Sequence, residues 1–371
     1  MVAGRKVIDY DLATDAPPEK VMRLFKRVIP TGIKHGTVTV LYKGQQFEVT
    51  TFRIEGLYSD SRRPDSISFT PSIIEDLKRR DFTINAMALD IHSGELLDPH
   101  RGKEDLKKNL IRAIGEPEQR FSEDALRMLR ACRFAAQLGF IVEQRTLEGI
   151  KSEYKRIEAV SAERIRDEFI KILETTKPSR GFEIMEATGL LGVILPELEA
   201  CKGVEQKGFH KFDVYTHSLV SCDMADNSLV IRLAALFHDI GKPQTLSFDS
   251  DGRPRFYRHE EVSSQLTVAI LDRLRFPKKT IHHVSHLIHN HMFNYDSQWS
   301  DAAVRRFISR VGKECLKPLF QLRVADQRGI TGEIRPNPML QELEERIERI
   351  IQEDAAFSIE DLAVDGNDLA V

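Results

Sequence analysis

Residues 37–54 read TVTVLYKGQQFEVTTFRI. Val, Thr, Tyr and Phe crowd this stretch, and Lys43-Gly44 supplies a turn, so it reads as strands joined in a hairpin. Upstream, KVIDYDLAT (6–14) has the same strand-like alternation. Downstream, EGLYSDSRRPDSISFTPS (55–72) holds Gly, Ser, Asp and Pro without a helical period, and is expected to be a mobile loop. IIEDLKRRDFTINAMALDI (73–91) opens as helix and turns apolar. SGELLDPHRGKEDLKKNLIRAIG (93–115) reads as a turn, a short helix and a strand.

From about residue 120 the apolar spacing becomes helical. SEDALRMLRACRFAAQLGF (122–140) is expected to be capped by Ser122 and to end at Gly139. Further amphipathic helices follow over 161–198, broken by Pro178 and Gly189, with no clear strand before residue 240. After 210 the chain reads as helical, with a hairpin expected in TLSFDSDGRPRFYRH (245–259) and a last charged helix in NPMLQELEERIERIIQED (337–354). The fold class is α+β: a small sheet-plus-helix head, then an all-helical neck and body, then a second helical domain.

The chain has 371 residues and a formal charge of −3, with 41% hydrophobic and 30% charged residues. At roughly 100–200 residues per domain this suggests two or three domains. The mixture excludes a collagen-like or wholly disordered chain. No apolar run approaches the roughly 20 residues that span a bilayer. The charged start, MVAGRKVIDYDLATD, lacks a signal peptide's apolar core, so a cytoplasmic protein with no membrane partner is expected. Cys132, Cys201, Cys222 and Cys315 lie far apart, which argues against a disulfide framework or a Cys-rich zinc site.

Three acids stand out in the strand region. Asp9 and Asp11 are two apart, so on a strand they share a face. Glu48 on a neighbouring strand supplies a third carboxylate. Such a set repels itself unless cations intervene, and it suits Mg²⁺ with substrate phosphates; a lone pair of this kind is more often two exposed strand-end aspartates. Lys78, Arg79 and Arg80 precede Asp81, which is positioned to orient one of these arginines, while Asn85 suits a ribose. Asp124, Arg127 and Arg130 follow at i, i+3 and i+6, the first two expected on one helix face. They offer donors and acceptors to the edge of a base.

IDYDLAT, HGTVTV…FEVTTFR, LKRRDFTINAMA, LLDPHRGKEDLKKNLIRAIG and RFSEDALRMLRACRFAAQLGF, in that order, resemble the class II tRNA nucleotidyltransferases, the CCA-adding enzymes and their bacterial poly(A) polymerase relatives. The resemblance covers about residues 4–200. It implies Mg²⁺ on Asp9 and Asp11 with Glu48 as third acid. It implies sugar and phosphate contacts for Arg79, Arg80, Asp81 and Asn85, base selection by Asp124 and Arg127, and Arg130 beside the triphosphate. The loop at 56–74 corresponds to the family's flexible loop. The family's Gly-Gly-x-Val-Arg-Asp segment precedes the acids and is not in this chain, and SIEDLAVDGNDLAV (358–371) resembles a tail that elsewhere continues. Self-association, or a partner chain supplying the missing strand, is therefore expected.

In the second half, His217, His238-Asp239 and Asp326 each lie at or near the end of an apolar run. Buried His and Asp need partners, and Mg, Mn, Ni, Fe or Zn suits such a set. His259 and His291 are candidates for a second metal or for phosphate. The order H…HD…D, with LFHDIGKP (236–243), resembles the HD metal-dependent phosphohydrolases over roughly 205–335, and Lys242 near the site suits phosphate. The expected domains are 1–110 (nucleotidyltransferase head), 111–204 (neck and body), 205–335 (HD domain) and 336–371 (C-terminal helix and tail). The expected function is template-independent addition of CMP and/or AMP, from CTP and ATP, to tRNA 3′ ends, with phosphohydrolysis at the HD domain. The rivals are an HD phosphatase or phosphodiesterase with an inactive RNA-binding head, and a poly(A) polymerase.

Overall fold

The computed structural model describes residues 10–56, 66–206, 211–333 and 337–353. It contains two compact units, Met1–Glu168 with Ala187–Val193, and Phe169–Glu186 with Ile194–Val371.

The first unit is built on a four-stranded sheet of β1 (Asp11–Thr14), β2 (Val28–Gly32), β3 (Thr37–Tyr42) and β4 (Gln45–Thr51), in the order β1-β4-β3-β2. β1 runs parallel to β4, and the other pairs are antiparallel. Lys43 and Gly44 both take positive φ, 47° and 79°, which gives the right-handed twist a two-residue hairpin requires. Val38, Val40 and Val49 on one sheet face pack with Val21 of α1 (Pro18–Leu24). Asp11 and Glu48 lie on the opposite face.

Paired short strands surround this sheet: β5 (Arg53–Glu55) with β6 (Ile67–Phe69), β7 (Ala88–Leu89) with β8 (Leu96–Leu97), and β9 (Leu110–Ile111) with β10 (Ile141–Val142). Two expectations are corrected here. The expected loop over 55–72 is shorter, because β5 closes it on one side and β6 occupies 67–69; residues 57–65 lie outside the described residues. A strand also exists between 120 and 240: β10 was illegible because its two residues are defined only by pairing with β9.

The unit's helices are α2 (Ile73–Lys78), α3 (Gly102–Lys107), α4 (Pro117–Glu123), α5 (Leu126–Leu138) and α6 (Gln144–Glu153), leading into α7 (Ala162–Leu173). The expected cap at Ser122 is also corrected. Ser122 lies inside α4, and its hydroxyl donates to the Gln119 carbonyl. The chain breaks at Asp124 (φ −143°, ψ 103°), whose carboxylate accepts from Leu126 N at 3.1 Å and so caps the start of α5. α5 ends where expected, on Gly139 at φ 73°.

After α7 come α8 (Ser179–Thr188), α9 (Leu190–Ile194), α10 (Pro196–Glu199), α11 (Val214–Met224), α12 (Leu229–Phe237) and the short α13 (Lys242–Thr245). The hairpin β11 (Leu246–Phe248) and β12 (Pro254–Phe256) leads into α14 (His259–Arg273), followed by α15 (Lys278–Asn290), α16 (Asp301–Val311), α17 (Lys313–Thr331) and α18 (Pro338–Glu353). In the second unit α11 packs on α12 and α17, and α15 on α12 and α14. Phe169 packs against Phe182, Phe237 and Phe276 at ring separations of 5.8–6.4 Å. The buried Arg232 guanidinium donates to the carbonyls of Leu173 and Thr175. It thereby serves carbonyls that the end of α7 leaves without helical partners. All four cysteines are buried and free. Among the described residues no helix is long and apolar enough to cross a membrane.

α17 approaches α11 closely because Gly329 has no side chain. A Cβ there would stand 1.9 Å from Ser221 Oγ and 3.1 Å from His217 Cε1. Gly329→Ala is therefore expected to cost about 1–3 kcal/mol by overpacking, against a gain of about 1 kcal/mol in helix propensity. Urea unfolding followed by far-UV circular dichroism checks this, and a raised midpoint contradicts it.

Candidate functional site

The parallel register pairs Asp11 with Glu48, so both carboxylates leave the sheet on one face, and both are exposed. Asp9 lies outside the described residues.

The arginines of the head are held by carboxylates and carbonyls. Buried Asp76 accepts from Arg79 at 2.8 and 3.0 Å, from Arg80 at 3.5 Å and from the Arg53 amide at 3.2 Å. Asp81 accepts from Arg130 Nε at 2.6 Å, Asn85 Nδ2 at 3.1 Å and its neighbour's amide, Phe82 N, at 2.9 Å. Burial pulls its carboxyl upward, but Arg130, Asn85 and Phe82 N outweigh that and hold it below the ordinary value. The expectation that Asp81 orients one of the preceding arginines is thus corrected. Asp76 takes Arg79 and Arg80, while Asp81 reaches across to α5 for Arg130. The i, i+3 spacing of Asp76 and Arg79 was a signal available in the sequence.

Arg127 is buried. Its Nη1 donates to Glu123 at 2.6 Å and to the Arg120 carbonyl at 3.1 Å, and its Nη2 donates to the Arg79 carbonyl at 3.1 Å. Asp124 turns its second oxygen to Arg164 Nη2 at 2.8 Å. The expectation that Asp124 and Arg127 are neighbours on one helix face is corrected, because Asp124 stands in the break before α5. Nothing in the local spacing marks Arg164, 40 residues away, as its partner. A cavity of about 250 Å³ opens between Ile54, Lys78, Arg79, Arg120 and Glu123.

The second unit gathers His217, His238, His259, His291, Asp239 and Asp326 in one buried centre. His217 Nε2 stands 3.1 Å from His238 Nε2, 3.4 Å from Asp239 Oδ2 and 3.2 Å from Asp326 Oδ1. His238 Nε2 is 3.3 Å from Asp239 and 3.5 Å from Asp326. His259 Nε2 lies 3.2 Å, and His291 Nε2 3.9 Å, from Asp239 Oδ1. Three of the rings are fixed alike. The Nδ1 atoms of His238, His259 and His291 face the carbonyls of Ala235, Phe256 and Ile288, each three residues earlier, at 2.6–2.8 Å. Donation at Nδ1 turns Nε2 inward in each ring, the nitrogen that a metal ligand would offer.

Burial alone would lower the His238 imidazole, but Asp239 and Asp326 lift it to about 10. Burial pulls the Asp239 carboxyl upward, yet His238 and Lys242 hold it well below the ordinary carboxylate range. Burial, then the charge of His238, pushes His291 down to about 3. The centre demands positive charge, and convergent nitrogen and oxygen donors fit a divalent cation. Two ligand groups meet the geometric requirement: His217, His238 and Asp326, and His238, Asp239 and His291. Lys242 Nζ bonds Asp239 Oδ2 and Gln206 Oε1, both at 2.6 Å, and Arg323 Nη1 bonds Asp326 Oδ2 at 3.1 Å. Gly241 lets this turn press on α14: a Cβ would meet Ser263 N at 2.6 Å and His259 O at 2.8 Å. Gln206 and Arg323 carry no motif signal and were not foreseen.

Three family models match the chain: the poly(A) polymerase head domain over residues 1–112, the probable RNA and SrmB-binding site of polymerase A over 139–202, and the HD domain over 210–347. The CCA-adding enzyme of Lactobacillus helveticus (strain DPC 4571) is 50% identical over 190 residues, 51% of this chain and 47% of that one. The structure of the Bacillus stearothermophilus CCA-adding enzyme in complex with CTP aligns with a TM-score of 0.73 and 28% identity, covering 99% of this chain and 79% of that one. The chain is similar to CCA-adding enzymes over about half of its length in sequence and over 99% of it in fold. The CCA-adding enzyme of Bacillus velezensis (strain DSM 23117 / BGSC 10A6 / LMG 26770 / FZB42) is 48% identical over 203 residues, 55% of this chain and 50% of that one. The chain spans about half the length of the curated relatives it matches. Thermotoga maritima CCA-adding enzyme complexed with tRNA_CCA shares the fold, at a TM-score of 0.57 and 18% identity over 99% of this chain and 78% of that one. Nucleotidyltransferase and HD domains generally use divalent metals, in keeping with the ligand groups of the second unit.

The lowered carboxyl of Asp81 stabilises the fold above its ordinary value of 3.8, and that contribution is lost as pH falls through the lowered value. Asp81→Asn is expected to cost about 2–3 kcal/mol near pH 7, since it leaves the Arg130 charge without its carboxylate. The variant should lose less stability than the parent below about pH 4. Denaturant midpoints measured across pH 2–7 check both signs.

Proposed function

We propose that the chain is a tRNA nucleotidyltransferase that adds CMP and/or AMP from CTP and ATP to tRNA 3′ ends without a nucleic-acid template. We further propose that its HD unit hydrolyses phosphate esters. The observation that carries the first reading is the pairing of Asp11 with Glu48 on the open face of the head sheet. The domain boundaries proposed with it are 1–110, 111–204, 205–335 and 336–371, and the cytoplasm is the proposed compartment.

In this reading Asp9, Asp11 and Glu48 hold Mg²⁺. Bound Mg²⁺ would neutralise the triphosphate and favour ionisation of the attacking hydroxyl. The tRNA 3′-hydroxyl attacks the α-phosphate, a new P–O bond forms, and pyrophosphate leaves. Arg79 and Arg80 take phosphate oxygens, Asn85 takes the ribose, and Arg130, steadied by Asp81, stands beside the triphosphate. Asp124 and Arg127 read the base edge. Glu123 and two carbonyls fix Arg127, so a side chain held in one orientation replaces the template. At the HD unit His217, His238, Asp239 and Asp326 hold one divalent cation (Mg, Mn, Ni, Fe or Zn), and His259 and His291 serve a second metal or the phosphate.

The test uses tRNA ending at the discriminator base, with Mg²⁺ and with CTP and ATP separately and together, read on a gel at single-nucleotide resolution. Discrete one-, two- or three-residue additions are expected. Long A-tails would favour a poly(A) polymerase. Asp11→Ala should reduce addition at least about a hundredfold, the loss of several kcal/mol of metal-assisted stabilisation, while phosphate-ester hydrolysis persists. His238→Gln should do the reverse. If either folded variant loses both activities, the division of labour is wrong.

A further inference from the structure

We propose that Arg323 and Lys242 form a two-cation clamp for the phosphate group of a phosphate ester at the histidine centre. The inference rests on the phosphohydrolase reading of that centre.

The two carboxylates of the centre are shared in parallel ways. Asp326 turns Oδ1 to His217 and His238, at 3.2 and 3.5 Å, and Oδ2 to Arg323 Nη1 at 3.1 Å. Asp239 turns Oδ1 to His259 at 3.2 Å and shares Oδ2 with His217, His238 and Lys242 Nζ, the last at 2.6 Å. Each cation thus stands one carboxylate away from the inward-facing nitrogens. They come from different elements, Lys242 from α13 and Arg323 from α17.

Each cation is held in place by its partners, Arg323 on the more exposed side and Lys242 within the buried part of the centre. Asp326 is the more buried partner of its pair, with its side chain 12% exposed against 25% for Arg323, so the guanidinium lies on the solvent side of the carboxylate. The Arg323 head also stands 5.7 Å from the Phe293 ring centroid, which steadies it through packing. Lys242 is steadied by Gln206 Oε1. A guanidinium carries five donors in a fork that matches phosphate oxygens. Lysine adds a compact point charge. Glu260 lies at the edge of the centre, 3.7 Å from His259 Nδ1, away from both cations' contacts. Where a bound divalent ion keeps the imidazoles neutral, the two carboxylates and the two cations cancel. A divalent ion then leaves net positive charge for the phosphate anion to meet.

The test titrates the full chain with Mn²⁺, and then the Mn²⁺-loaded chain with inorganic phosphate, both by calorimetry. Arg323→Met keeps most of the apolar stem, and Arg323→Lys keeps the charge but not the fork. Arg323→Met is expected to weaken phosphate binding about tenfold or more, as loss of a charge-assisted bond does, with Mn²⁺ affinity within about threefold of the parent. Arg323→Lys should recover part of the loss. If Arg323→Met instead weakens Mn²⁺ binding while the loaded form binds phosphate as tightly as the parent, Arg323 only orients Asp326 and the clamp is overturned. Equal affinities for both ligands overturn it too. A parent chain that takes up no Mn²⁺, or takes it up and binds no phosphate, overturns the phosphohydrolase reading and the clamp with it. Matching thermal midpoints of the metal-free variants and parent separate these outcomes from misfolding.

Discussion

Asp239 is 2% exposed and ionised. A protein interior tolerates such a group only where positive charge and hydrogen-bond donors surround it, because an unpaired buried charge costs several kcal/mol. His238 and Lys242, from the same stretch as Asp239, and His259 of α14 meet that demand. The same constraint organises the head, where buried Asp76 and Asp81 are each answered by arginines. Carboxylates set the positions, and the cations that would meet a substrate take their places from them.

Backbone carbonyls do the finer orientation. In the second unit, carbonyls three residues back fix the rings of His238, His259 and His291. In the head, the carbonyls of Arg79 and Arg120 aim Arg127. A carbonyl inside a folded element moves little, so it fixes a side chain more firmly than another flexible side chain would. Preorganisation of this kind is what an electrostatic site needs, because no free energy is then spent on reorienting groups during the reaction.

Much of this was legible in the sequence. The strands over 37–51 and their Lys43-Gly44 turn follow from alternation and local turn chemistry, both properties of adjacent residues. So do the ends of α5 at Gly139 and of α8 near Gly189. The gathering of His217, His238, Asp239 and Asp326 could be anticipated because each polar residue sits at or near the end of an apolar run. The misses share one physical cause. Arg130 finds Asp81 across 49 residues, and Arg164 finds Asp124 across 40. β10 exists only through its pairing with β9. Partners set by tertiary packing leave no periodic trace. The break at Asp124 is subtler: its cap serves α5, while the apolar spacing runs through it as if one helix continued.

The buried cysteines carry a consequence for how opening of this chain can be followed. Burial pushes the Cys132 thiol up to about 12, and it raises Cys201 and Cys222 as well. The thiolate is the reactive form, so these sulfurs are inert to alkylating reagents and mild oxidants while their surroundings stay closed. Cys132 belongs to the first compact unit, and Cys201, Cys222 and Cys315 belong to the second. The chain therefore carries a native timer for each unit: the order in which its thiols become labelled records which unit opens first, without an added probe.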